Sequence, residues 1–182
     1  MLEQIIIAGS GGQGIQFCGQ LLARAAVRQG LEATYVPSYG AERRGGPSFC
    51  SVVAADRSIY ASLFKHPDIF LALDQRARNQ YASSLLNAGI MLVNTDLAGQ
   101  PATGEQARVI GLSASRLAEK INFEQPPLNL VMLGAYLGLD RGVSIEAVRA
   151  ELEARFAGKP DVKQRNLQAL DLGWEEGRSQ SR

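Results

Sequence analysis

Two short glycine-rich segments carry the residues whose types and spacing suit binding chemistry. The first, Gly9–Gly14, has the sequence GSGGQG and matches the pattern G-x-G-x-x-G directly after an apolar run. The second, Ser38–Ser48, has the sequence SYGAERRGGPS and places an acid and two arginines among turn-forming residues. Glycines let a backbone approach an anion closely, and a helix that follows adds unpaired N–H groups and a partial positive charge. The first segment, the glycine loop, therefore predicts a phosphate-binding turn.

The glycine loop alone leaves three interpretations open. A dinucleotide site needs an acidic residue about 20 residues further on, at the end of the second strand, to bind the ribose hydroxyls. Here that strand ends in Pro37-Ser38-Tyr39, and Glu32 precedes the strand. NAD and FAD are therefore disfavoured. The remaining interpretations are another phosphorylated ligand and a tight strand-to-helix turn that binds nothing.

The arginine loop, residues 38–47, is expected to lie beside the glycine loop. In a parallel sheet both loops leave the same carboxyl edge. Arg43 or Arg44 would then complete an anion site that backbone amides begin, with Glu42 orienting one of the two guanidinium groups. Gly45-Gly46 lets the chain pass close to a ligand or another subunit. The alternative interpretation is a solvated surface turn.

Short apolar runs alternate with helical periodicity along most of the chain. Gln4–Ala8, Asp68–Leu73 and Ile90–Asn94 are typical of buried parallel strands. Gln13–Gln29 has the apolar period of a helix, and Ser58–Ser62 is predicted to pair as a further strand. This alternation predicts an α/β fold, Rossmann-like and three-layered, with a mostly parallel sheet and a helical C-terminal part.

Length, charge balance and the lengths of the apolar runs indicate which classes of protein this chain can belong to. The 182 residues suit a single domain, predicted as residues 1–174, with residues 175–182 expected to fray. Lys plus Arg is 19 and Asp plus Glu is 18, so no charge imbalance indicates nucleic acid or a membrane surface as partner. No apolar run approaches the roughly 18–20 residues that span a bilayer, and the N-terminus lacks signal-peptide features. A cytoplasmic protein is expected.

Metal sites are not expected in this chain. It has two cysteines, Cys18 and Cys50, whereas an iron–sulfur cluster usually takes about four cysteine ligands. His66 is the only histidine, which gives no support for a zinc site. We expect both cysteines to be small, buried, apolar residues.

The two loops together resemble those of the gamma subunit, or gamma domain, of 2-oxoacid:ferredoxin oxidoreductases. DIFLALDQ at residues 68–75 and PPLNLVMLGAYLG at residues 126–138, with Asn129 and Gly134, resemble two further landmarks of that family. The similarity extends to about Leu172. It implies a Rossmann-like chain in a complex that decarboxylates a 2-oxoacid on thiamine diphosphate. Electrons would pass through [4Fe–4S] clusters to ferredoxin, and the acyl group would pass to coenzyme A.

The resemblance also implies which residues lie at the site. The glycine loop contributes Gly9, Ser10, Gly11, Gly12, Gln13 and Gly14; the second motif contributes Ser38, Tyr39, Gly40, Glu42, Arg44, Gly45 and Gly46. Arg43 occupies a place where the family often has an apolar residue, and it stays a candidate. Asp74, at the end of a predicted strand, is a further residue that can face the site. The chain is expected to line the coenzyme A side of the active site.

Partner subunits are expected to bind the cofactors for which this chain has no ligands. Thiamine diphosphate, Mg²⁺ and [4Fe–4S] clusters would belong to alpha, beta and delta subunits, so no catalytic residue is assigned here and the isolated chain is expected to be inactive. A gamma–gamma dimer is a further expectation. The short N-terminus and the form of the second motif favour a 2-oxoglutarate-type chain; pyruvate, branched-chain and indolepyruvate types stay open. A free-standing nucleotide-binding Rossmann protein is the alternative of another class.

Overall fold

The structure is a computed structural model that describes residues 1–39, 45–85, 89–100, 107–121, 124 and 126–180, with Tyr39 described by its backbone alone. Its strands are β1 (Leu2–Ser10), β2 (Glu32–Tyr39), β3 (Pro47–Ala55), β4 (Ile69–Ala72), β5 (Ile90–Asn94) and β6 (Arg108–Leu112). Its helices are α1 (Ile15–Arg28), α2 (Gln75–Tyr81), α3 (Thr95–Ala98), α4 (Ala114–Glu119), α5 (Leu128–Leu137), α6 (Ile145–Arg155) and α7 (Pro160–Gln180), with a 3₁₀ turn at Ala82–Ser84. None of the helices described is both long and apolar enough to cross a membrane.

The strands form one sheet in the order β2-β3-β1-β4-β5-β6. Strands β1, β4, β5 and β6 pair in parallel. Strand β3 is antiparallel to both of its neighbours, β1 and β2. As a result β2 runs in the same direction as β1, although β3 lies between them. The predicted α/β fold with a mostly parallel sheet is confirmed, and the hairpin of β2 and β3 is an addition to it.

Helices cover both faces of the sheet. Ile5 and Ile7 of β1 belong to a large core that also contains residues of α1, α4, α5, α6 and α7. Ile6 and Ala8 belong to a smaller core with residues of α2 and α3. Successive strand residues point to opposite faces, so both sets are buried and the middle of the strand, residues 5–8, is an unbroken apolar run. The three-layer arrangement follows from this alternation.

The segment Ser58–Ser62 forms no strand, contrary to the prediction. Tyr60 within it is 97% exposed. The sheet offers no place for pairing with β3, because β1 occupies one side of that strand and β2 the other. The hydrogen-bonding groups that Ser58–Ser62 would need are therefore already taken.

Helix α7 continues beyond the position where fraying was expected. It reaches Gln180, so residues 175–180 are helical, and Gly177 is buried against Ala135 of α5. Three further glycines face the other helix in the same way: Gly134 on α5, Gly138 directly after it, and Gly173 on α7. Small residues spaced four apart let two helix backbones approach closely. This contact holds the end of α7 against α5. The expectation that residues 175–182 fray was based on their composition and did not take this contact into account.

Candidate functional site

The glycine loop connects β1 to α1 at the carboxyl edge of the sheet. Ser10 N–H donates to Gln13 Oε1 at 2.7 Å, and Gln13 N–H donates to Ser10 O at 3.2 Å, which closes a tight turn. Gly14 has a φ of 75°, in the left-handed region that favours glycine. Its missing side chain also leaves room for Asn129, whose Nδ2 donates to Gly14 O at 3.3 Å. Two independent requirements thus select glycine at position 14.

The start of α1 is suited to an anion. Gly14 is the N-cap, and no side chain caps the first turn of this 14-residue helix. The first N–H groups of an α-helix have no partner within the helix, and the helix dipole adds a partial positive charge there. Such an end binds phosphate or carboxylate groups.

The arginine loop contacts the glycine loop directly, as the sheet direction predicted. Gly11 N–H donates to Gly46 O at 2.8 Å. Arg76, at the start of α2, donates from Nη1 to Gly45 O at 3.3 Å. Residues 40–44, which include Glu42, Arg43 and Arg44, lie outside the described residues. Both ends of the loop that carries them nevertheless belong to strands of the same sheet edge.

Gln16 fastens the base of the arginine loop to α1. Its Nε2 lies 3.1 Å from Ser38 O, 3.1 Å from Ser48 Oγ and 3.0 Å from Phe49 O. Its Oε1 accepts a hydrogen bond from Tyr35 Oη at 2.7 Å. One amide therefore bonds to both strands of the hairpin. The sequence analysis missed Gln16 and Arg76, because their partners are far away in sequence and no local pattern marks them.

Asp74 reaches the glycine loop from the end of β4. Ser10 Oγ donates to Asp74 Oδ2 at 2.6 Å, and Asp74 Oδ1 accepts the N–H of Ala77 at 2.9 Å as the N-cap of α2. The helix after β1 and the helix after β4 lie on opposite faces of the sheet. Ligands of such sheets bind in the crevice where the connections diverge in this way. Asp74 and Ser10 lie at that crevice.

Burial or a hydrogen bond within the chain accounts for the other candidate groups, which are the two cysteines, Glu32 and His66. Burial raises the pKa of the Cys18 thiol, and it raises that of Cys50 to about 12. Glu32, at the other end of β2 from the arginine loop, accepts a hydrogen bond from Ile59 N–H at 3.2 Å. His66 bonds to Ser84 O at 3.0 Å. Across the described ranges, no three His, Cys, Asp or Glu side chains are grouped so that they could hold a metal ion.

These contacts define a class of protein. The sheet is Rossmann-like, an uncapped helix start follows its first strand, and the loop that carries the arginine pair is bonded to the turn before that helix. In α/β proteins ligands bind at this edge of the sheet, and a helix start of this kind is suited to a phosphate group. The site lacks the acid at the end of β2 that a dinucleotide site of the Rossmann type uses.

Residues 4–176 match the model of the pyruvate ferredoxin/flavodoxin oxidoreductase family, and the chain belongs to that family. It is 34% identical over 173 residues to the ketoisovalerate oxidoreductase subunit VorA of Methanothermobacter thermautotrophicus, covering 94% of this chain and 36% of that protein. It is 33% identical over 180 residues to the 2-oxoglutarate synthase subunit KorC of the same organism, covering 95% and 94%. The chain thus spans about a third of VorA and nearly all of KorC.

Solved structures agree with this assignment. A keto/oxoacid ferredoxin oxidoreductase gamma subunit from Geobacter sulfurreducens PCA superposes with a TM-score of 0.82 at 29% identity, covering 97% of this chain and 99% of that one. A 2-oxoglutarate:ferredoxin oxidoreductase from Magnetococcus marinus, with 2-oxoglutarate, coenzyme A and succinyl-CoA bound, gives 0.90 at 25% identity, covering 98% of this chain and 31% of that one. The resemblance to gamma subunits is confirmed.

Proposed function

We propose that this chain is the gamma subunit of a multi-subunit 2-oxoacid:ferredoxin oxidoreductase. The complex would convert a 2-oxoacid and coenzyme A to acyl-CoA and CO₂ while two electrons pass to ferredoxin. The observation that carries the proposal is the hydrogen bond from Gly11 N–H to Gly46 O, which joins the two motif loops at the carboxyl edge of the sheet. Membership of the oxidoreductase family supports the reaction class.

The chain's role in this reaction is to bind and orient coenzyme A. The glycine loop and the free N–H groups of α1 would receive a phosphate of the coenzyme. Arg44, and Arg43 beside it, would neutralise further phosphate charge, because guanidinium groups bond phosphate oxygens in pairs. Glu42 would orient one guanidinium group. Ser38, Tyr39 and Gly45-Gly46 would shape the loop that presents them.

Partner subunits would carry the redox chemistry. Thiamine diphosphate with Mg²⁺ and [4Fe–4S] clusters would be bound by alpha, beta and delta subunits, and ferredoxin would dock on the complex. The two buried cysteines of this chain support that division, because neither thiol is exposed to ligate a cluster. We infer a cytoplasmic complex and a single domain over residues 1–174 of this chain, extended by the end of α7.

2-Oxoglutarate is the favoured substrate. The form of the second motif favours it, and the 2-oxoglutarate synthase subunit KorC matches nearly the whole length of this chain at 33% identity, against 31% for the pyruvate synthase subunit PorC of similar length. Pyruvate and branched-chain 2-oxoacids are the alternatives, since the relatives also include a pyruvate synthase subunit and a ketoisovalerate oxidoreductase subunit. Because the family's substrate pocket largely belongs to other subunits, the assignment is tested by assay of the complex.

The first test is purification of the tagged chain at native expression level without oxygen. We expect it to co-purify with iron–sulfur and thiamine diphosphate subunits, and the mixture to reduce ferredoxin only with a 2-oxoacid and coenzyme A. Comparison of 2-oxoglutarate, pyruvate, 2-oxoisovalerate and indolepyruvate then identifies the substrate. A chain that purifies alone and binds NAD(P) would contradict the proposal and favour the free-standing nucleotide-binding protein.

The second test uses the arginine loop. Arg44→Ala should raise the KM for coenzyme A by roughly tenfold or more with little change in the KM for the 2-oxoacid, as expected for loss of hydrogen bonds to a charged group. Arg57→Ala is the matched control, because Arg57 is an exposed arginine outside both motif loops. Equal effects of the two substitutions would remove the assigned role of the arginine loop.

A further inference from the structure

The connection between β3 and β4, residues 56–68, lies at the amino edge of the sheet. Ala55, the last residue of β3, pairs with Leu2 and with Glu32, which are the first residues of β1 and β2. The two motif loops follow the last residues of β1 and β2, so they lie at the opposite edge. The connection contains no helix or strand. A connection of this length without regular structure is uncommon and often has a function of its own.

Two large apolar residues of this connection are exposed to solvent: Tyr60 is 97% exposed and Leu63 is 72% exposed. Single exposed hydrophobic residues are normal on a protein surface, so their distribution is the informative feature. Among the described residues, the exposed large hydrophobic residues are Met1, Leu2, Val27, Tyr60, Leu63 and Leu97. Four of these six belong to the connection or to the chain start beside it, where Asp56 N–H donates to Met1 O at 3.2 Å. Exposed apolar surface is therefore concentrated at the amino edge.

The connection is fixed to the rest of the fold although it has no regular structure. Ile59 N–H donates to Glu32 Oε2 at 3.2 Å. His66 Nδ1 lies 3.0 Å from Ser84 O. Between these two points, Phe64 packs against the smaller core. The exposed apolar side chains are thus carried by a backbone that is already held in place, which lowers the conformational entropy lost when a partner binds them.

Two cations flank the exposed apolar residues of the connection. Arg57 and Lys65 are both exposed, and neither makes an ion pair with a residue that the structure describes. Residues 58–64 between them carry no charge. An apolar centre with a polar rim is the arrangement found in protein–protein interfaces. In a two-fold contact between copies of this chain the patch would face itself, and cations would oppose cations. The charges therefore fit a different protein surface, with carboxylates around an apolar pocket.

We propose that this amino-edge surface, defined by Arg57, Tyr60, Leu63 and Lys65, binds another subunit of the complex at an apolar pocket with an acidic rim. The assignment rests on the proposed function of the chain as a subunit. Tyr60 would fill the pocket, because tyrosine is among the residues that contribute most to binding at protein interfaces. The surface lies at the edge opposite to the motif loops, so substitutions in it change how tightly the complex is held and not its KM for coenzyme A.

Photochemical cross-linking in the purified complex identifies the partner. The photoreactive residue p-benzoylphenylalanine replaces Tyr60 in the tagged chain, the complex is irradiated, and mass spectrometry locates the linked peptide. We expect a link to one other subunit, in a segment that contains Asp or Glu. The same replacement at Val27 is the matched control, because Val27 is 59% exposed on α1, which packs on the other face of the sheet. It should not link to that segment. A link from position 60 to a second copy of this chain, or no link to any subunit, would overturn the proposal.

Affinity measurements test the apolar centre and the charged rim separately. The quantity measured is the Kd between this chain and the rest of the complex. Tyr60→Ser should raise this Kd about thirtyfold, the effect of losing one dominant interface residue. Its Tm should match that of the wild type, because the side chain it removes is 97% exposed. Lys65→Glu should raise the Kd about fivefold at low salt and have little effect at high salt, whereas Lys65→Arg should keep the wild-type value. Val27→Ser should stay within about twofold of the wild type.

The outcomes distinguish this proposal from the function on which it rests. If the wild-type chain forms a complex that oxidises a 2-oxoacid and Tyr60→Ser binds the other subunits with wild-type affinity, the docking surface is wrong and the function stands. A Tyr60→Ser complex with a raised KM for coenzyme A would also contradict the docking role, because that result places the residue at the other edge of the sheet. A wild-type chain that associates with no other subunit contradicts both proposals.

Discussion

The contact between α5 and α7 leads to a sharp prediction for Gly173→Ala. The atom nearest to an alanine Cβ at this position would be the carbonyl oxygen of Val131, followed by the carbonyl carbon at 2.7 Å and the Cα at 2.9 Å. Carbon atoms prefer separations of about 3.5–4.0 Å, so the overlap with the carbonyl carbon alone is roughly 0.8 Å, and the oxygen is closer still. The obstructing atoms are backbone and cannot rotate away. Relief therefore requires α5 to move relative to α7 along the whole contact.

The expected loss of stability follows from two opposing terms. Overpacking in a well-packed core costs about 1–3 kcal/mol, and a clash with backbone belongs at the upper end. Alanine regains about 1 kcal/mol of helix propensity relative to glycine. We expect the free energy of unfolding to fall by about 2 kcal/mol, equivalent to a Tm lower by about 4–8 °C for a chain of this length.

Urea unfolding followed by far-UV circular dichroism measures this change. Gly158→Ala is the control, because a Cβ at Gly158 has no atom within 4 Å, and its effect should stay within about 0.5 kcal/mol. If Gly173→Ala unfolds at the same urea concentration as the wild type, the two helices are not held at this distance and the reasoning fails.

Three other predictions concern buried polar groups. The raised pKa values of Cys18 and Cys50 mean that the thiols ionise first in the unfolded chain. Their contribution to the unfolding free energy should be constant below about pH 9 and should fall as the pH rises above it. Ellman's reagent should react slowly with the folded chain until urea is added. Asp74→Ala removes the cap of α2 and should lower the unfolding free energy by about 1–2 kcal/mol in urea titrations; no change would exclude the capping role. Tyr136 donates to the buried carboxylate of Glu3, and this burial raises the pKa of the phenol. Tyr136→Phe should therefore cost about 1.5–3 kcal/mol by the same titration, the range for a hydrogen bond to a charged group, whereas a stabilised variant would argue against the bond.

Elements with a strong local pattern were predictable from the sequence. The runs Asp68–Leu73 and Ile90–Asn94 became β4 and β5, because a strand buried on both faces needs an uninterrupted apolar run. Serine is a preferred residue at the position just before a helix, and Ser144 before α6 accepts the N–H of Ala147 at its Oγ, at 3.3 Å. These features depend on residues a few positions apart, so a single sequence contains the information.

For the candidate site, the sequence predicted the two loops and their proximity to each other. The G-x-G-x-x-G spacing located the turn after β1, and strand direction predicted that the arginine loop would lie beside it. Asp74 was a candidate because it follows a strand, and the structure bonds it to Ser10. Gln16 and Arg76 were not candidates, because a lone polar residue on a helix has no pattern that distinguishes a contact from a solvated side chain.

The sequence by itself determined the kind of elements, the glycine turn and the absence of a dinucleotide acid at the end of β2. Tertiary structure alone decided that β3 pairs between β1 and β2, which excluded Ser58–Ser62 from the sheet. It also decided that α7 stays ordered to Gln180. The physical reason is the same in each case. Strand pairing and burial are competitions between segments distant in sequence, and their outcome depends on which combination of partners gives the lowest free energy for the whole chain.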